Sequence, residues 1–127
     1  MKGVLKMKIN GIEYELNLLD ADVADRIETA AQALVDELNG RIEELKQMSA
    51  AKSIREQCRL IDVFFDAVLG DGSANAIFGG KSDLEVHLEV YGRFMAGLSA
   101  ERDQRLAAAT SRLVDAVPAS GAAQWAC

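Results

Sequence analysis

The chain has 127 residues, half of them hydrophobic and 27% charged, with a formal net charge of −6. That length and balance fit one folded domain and exclude a wholly disordered chain. Its 14 Lys and Arg are dispersed among 20 acids, which argues against nucleic-acid binding, and no run of 18 apolar residues offers a membrane span.

Met1-Lys2-Gly3 leads straight into alternating Lys and apolar residues, with no apolar core of a signal peptide, so a cytoplasmic protein is expected. VLKMKI, then Asn10-Gly11, then IEYELNL is the pattern of a β-hairpin, the two turn residues favouring a type I′ geometry with positive φ at both. Folding about that turn pairs Ile9 with Ile12, Met7 with Tyr14 and Leu5 with Leu16 on one face, and Lys8 with Glu13 and Lys6 with Glu15 on the other. A lone hairpin is marginal in water, so its apolar face must cover helices.

Asp20 is a good N-cap, and Val23, Ile27, Ala30, Leu34, Leu38, Ile42, Leu45 and Met48 then recur at helical spacing. One helix of about 28 residues is expected, interrupted but not broken by Gly40. Its Glu- and Lys-rich outer face, including Glu43 and Glu44, reads as solvated. Ser53-Ile54-Arg55-Glu56 is a capping box that starts a second helix there or a few residues earlier. Ile54, Cys58, Ile61, Phe65 and Val68 form its stripe, widened by Leu60, Val63, Phe64 and Leu69, so it is expected to be the most buried helix, ending at Gly70.

Ser82-Asp83-Leu84-Glu85 is a second capping box. A stripe from Leu84 through Tyr91, Leu98, Leu106 and Leu113 continues to Pro118, giving a third helix of about 35 residues. Its second half carries only a narrow apolar seam, and so projects or joins a partner helix. Residues 118–127 have linker composition and are expected to be a disordered tail, with Trp125 a possible docking anchor. The fold class expected is mainly α (α+β), a single domain over residues 1–117 in which a two-stranded hairpin precedes three helices, the third long.

Chemistry is harder to place. Gly79-Gly80-Lys81-Ser82 resembles the end of a phosphate-binding loop, but Asn75 stands where the first glycine is required and the preceding segment has helical spacing. His87 is the one histidine and has no Cys or Asp at ligand spacing, so it reads as a surface or satisfied core residue. Asp71-Gly72 lacks the alternating ligands of a calcium loop. Cys58 and Cys127 make no disulfide framework, and Cys58 reads as a small buried hydrophobe. No enzyme activity, cofactor, metal or small-molecule substrate is expected. The segment FFDAVLGDGSANAIFGGKSDL is a compact reversal whose Ile77 and Phe78 act either as a structural plug or as an exposed latch.

Ile54-Arg55-Glu56-Gln57-Cys58, followed by Phe64-Phe65-Asp66, Gly70-Asp71-Gly72 and Ile77-Phe78-Gly79-Gly80-Lys81, resembles small proteins encoded among the tail genes of siphophages and prophages. The likeness covers about residues 5 to 98 and implies a tail assembly chaperone or its companion, which coats the tape measure protein in the host cytoplasm. A second likeness, covering about residues 5 to 69 and closest in AAQALVDELNGRIEEL, is to the ZapA family, whose members cross-link FtsZ filaments. That family lacks the FGGK loop. Both resemblances imply a protein partner. The two free edges of the hairpin and the length of the third helix point to self-association, and Phe64, Ile77, Phe78, Tyr91 and Phe94 are the candidate partner-binding residues.

Overall fold

A computed structural model describes residues 4–117. The expected hairpin is present as β1 (Val4–Ile9) and β2 (Ile12–Asn17), antiparallel, in the register Leu5↔Leu16, Met7↔Tyr14 and Ile9↔Ile12. Asn10 at φ 48° and Gly11 at φ 84° make the positive-φ turn that the sequence demands. Alternation then buries Ile9 and Leu16 and leaves Lys6 and Glu15 in solvent, paired at 3.8 Å. An ion pair so exposed contributes little beyond fixing which face is wet.

Three long helices follow, with two short ones between them. Helix α1 (Ala21–Gly40) starts at Asp20, whose Oδ1 accepts the amide of Asp22 at 2.8 Å. The continuous first helix expected from the stripe is broken after Gly40: a separate turn, α2 (Ile42–Gln47), follows Arg41 at φ −120°. Glycine weakens the helix there. The Arg41 guanidinium then holds both oxygens of Glu44 at 3.1 Å and reaches Glu56 on the next helix at 2.9 Å, while Leu45 turns inward. The stripe continued in phase across the break, which is why periodicity alone did not reveal it.

Helix α3 (Ala50–Leu69) begins earlier than the Ser53 box, because the Oγ of Ser49 takes the Lys52 amide at 3.2 Å. Ser53 instead accepts from the Gln57 side chain at 3.1 Å. Early α1 lies beside late α3, Arg26 with Ala67, and late α1 beside early α3, Leu38 with Ser53, so the two helices run antiparallel. Between Gly70 and Lys81, expected to be a loop, stands α4 (Ser73–Phe78), bounded by Gly72 and Gly79 in the left-handed region. Helix α5 (Leu84–Asp115) is the long one, and Asp83, rather than Ser82, caps it by accepting the Val86 amide at 3.2 Å.

The core lies where α1, α3, α4, the first half of α5 and the apolar face of the hairpin meet. Phe64, Phe65, Val68, Ile77 and Phe94 are buried there, each such side chain contributing roughly 1.5–3 kcal/mol relative to exposure. Cys58 is fully buried, and that burial first, then the charges of Asp62 and Asp83, pushes its thiol up from its ordinary range. Leu98 is the last residue of α5 in this core. Residues 118–127, with Trp125, Cys127 and the expected tail, lie outside the described residues.

Candidate functional site

The five residues singled out for partner binding are brought together, but inside the molecule. Phe64 stacks edge-on with Tyr91 at 4.9 Å and Phe94 at 5.9 Å between ring centroids, and Phe65 bridges Phe94 to Phe78 at 5.3 and 5.7 Å. Phe64, Ile77, Phe78 and Phe94 are buried and Tyr91 is half-buried, its phenol pushed up by that burial. The wide stripe of α3 pointed to these residues as apolar without saying which side would be covered. In this arrangement Ile77 and Phe78 are a plug rather than an exposed latch.

The plug is held on three sides. Asp66 on α3 accepts the Ala74 amide at 2.9 Å, Asn10 in the hairpin turn donates to the Ile77 carbonyl at 2.9 Å, and His87 stacks flat on Phe78 at 3.7 Å. His87 is 1% exposed, with Nδ1 2.8 Å from the Asp83 carbonyl and Nε2 2.9 Å from Asp62 Oδ1. Both ring nitrogens face oxygen acceptors, of which either neutral tautomer donates to one, and His87 is a buried core residue and not a surface one. The Gly79-Gly80-Lys81-Ser82 turn also resolves: a helix precedes it, and the carboxylate of Asp83 already occupies the amide end of α5 where an anion would be received. Among the described residues, no group of three or more His, Cys, Asp or Glu is placed to hold a metal ion. No described helix is long and apolar enough to cross a membrane.

The surface that could act on another molecule lies elsewhere, between α1 and α3. There the two antiparallel helices leave an open groove of about 510 Å³. Its floor is Ala30, Leu34, Leu60 and Phe64, its walls carry Ala33, Val63 and Ala67, and its rim on α1 holds Asp22, Asp25, Arg26 and Glu37. Three alanines keep the helices from filling the space between them, and Val63, 53% exposed, stands in it. Val63 was read as part of the buried stripe. The excess width of that stripe was the signal for this groove, because a helix apolar over so broad an arc needs a second covering surface.

The groove can receive one helix: its walls are apolar, its rim is acidic, and it follows the axis of α1 from residue 22 to residue 37, about 22 Å at 1.5 Å per residue. A family model matches residues 10–116, and the family it describes is DUF6673, a family of unknown function. The chain belongs to DUF6673. The DUF6673 match runs from the hairpin turn to the end of α5 and so takes in the groove, the plug and the projecting half of that helix. No curated protein and no solved structure matches the chain.

Proposed function

We propose that this DUF6673 protein is a non-enzymatic tail assembly chaperone or accessory protein of a phage or prophage. It covers an apolar helical segment of a tape measure or other tail protein in the bacterial host cytoplasm. The observation that carries the reading is the unfilled apolar groove between α1 and α3. A helix laid into it would bury Val63, Ala33 and Ala67, and the acidic rim and the net charge of −6 would keep the complex dispersed. The phage assignment itself rests on the likeness of the residues from Ile54 to Lys81.

The test is a titration of the chain with helical segments of the tape measure protein encoded nearest its gene, followed by fluorescence anisotropy. Saturable binding that Val63→Glu weakens by about 100-fold is expected, since the substitution places a charge in an apolar contact. Binding unaffected by that change would remove the groove from the account. One observation favours a second reading, an oligomeric scaffold similar to ZapA: α5 runs 17 residues past Leu98, the last core residue on it, and its Leu106, Leu113 and Val114 are exposed.

A further inference from the structure

We propose that in the free protein the α1–α3 groove is occupied by the projecting half of α5 from a second copy of the chain. The inference rests on the groove being the interaction surface, and it names what fills that surface before a client does.

The first argument is apolar surface left over in two places. On α5, Leu106 and Leu113 are 55% and 70% exposed, and with Ala109 they lie at i, i+3 and i+7 along one seam. On α1 and α3 the groove is open over about 22 Å, and the stretch 104–114 of α5 is about 15 Å long by the same helical rise. One uncovered strip is a narrow ridge and the other a trough of sufficient length.

Charge chooses the pairing. The rim presents Asp22, Asp25 and Glu37 against Arg26 alone. The stretch QRLAAATSRLV, residues 104–114, carries Arg105 and Arg112 and no acid, Asp103 and Asp115 standing at its two ends. Arg105 already meets Glu101 at 3.1 Å, whereas Arg112 pairs with no acid among the described residues. Two grooves packed face to face would instead set acid against acid, which is unfavourable.

Geometry requires the ridge to come from another copy. Within one chain, Met95, Leu98 and Arg102 of α5 lie against Ala24, Ile27 and Glu28 of α1. At 100° per residue that is the side of α1 opposite the one bearing Asp25, Thr29 and Ala33. A continuous helix of 32 residues cannot turn back around α1 to reach its own groove. The contact is therefore between unlike surfaces, ridge to groove, and a client helix must displace the arm.

Sedimentation equilibrium on the full chain decides this, using Val63→Glu in the groove and Leu113→Glu on the arm. Both sites are exposed, and circular dichroism would show that each variant keeps the parent's helix content. The parent is expected to be a dimer or larger in the tens of micromolar, and each variant alone to associate about 100-fold more weakly. Mixing the two variants should restore a species of two copies, because one supplies an intact arm and the other an intact groove. A monomeric parent, a Leu113→Glu variant that associates like the parent, or a mixture that stays monomeric would each overturn the proposal. The client reading fails separately: tape measure segments should bind Leu113→Glu at least as tightly as the parent, and self-association without any such binding would sink only that reading.

Discussion

Asn10 Nδ2 donates to the backbone carbonyl of Ile77 at 2.9 Å, tying the hairpin turn to the plug across 67 positions of the chain. The same residue holds φ 48° in the turn, so one side chain serves local geometry and tertiary docking together. Asn10→Gly keeps a turn of the same type and removes the bond, with a smaller cost from the freer unfolded chain. A loss of about 1 kcal/mol in denaturant unfolding is expected, with a midpoint equal to the parent's showing that the tie carries no stability.

Gly11 tests the turn alone. A Cβ there would meet nothing within 4 Å, so at φ 84° the cost of Gly11→Val is backbone strain and not a clash. Such strain costs about 1–3 kcal/mol. Unchanged unfolding would mean that the turn does not constrain the hairpin.

Phe78 separates plug from latch. Its ring lies between Phe65 and His87 and is buried, so Phe78→Ala should destabilise the fold by about 3–5 kcal/mol. An exposed latch would lose partner affinity and keep its stability. Thermal unfolding of the variant beside the parent distinguishes the two.

Acid should loosen the junction of α2 with α3. Hydrogen bonds from Arg59 and Arg41 hold the Glu56 carboxyl at about 2, well below the usual carboxylate range. The folded value lies below the unfolded one, so the stabilisation is full above the ordinary carboxylate range. It is lost as the pH falls from there through about 2. Glu56→Gln should flatten the acid limb of the stability profile in that window, and a profile identical to the parent's would contradict the assignment.

Much of this fold was legible because local rules agreed with one another. Asn10-Gly11, the alternating strands and the Lys–Glu face all select one register, and the structure has it. The break at Arg41 was not legible, since Leu38, Ile42 and Leu45 keep helical spacing across it and the deciding contact is with Glu56, 15 residues away. Helix α4 was hidden by its glycines, which read as loop residues but serve as its two ends. For the candidate site, sequence found apolar residues but not which of them the fold covers. Phe64 and Phe94 turn inward, while Val63 and the alanines 30, 33 and 67, which carry little hydrophobic signal singly, line the groove.

On the function proposed, the α1–α3 groove, and not the plug, receives a partner helix. Methyl NMR on the chain, with and without a bound tape measure segment, reads both surfaces in one spectrum. The methyl resonances of Ala30, Ala33, Val63 and Ala67 are expected to shift while those of Ile77 and Ala74 stay in place. Shifts confined to Ile77 and Ala74, with the groove methyls unmoved, would contradict it.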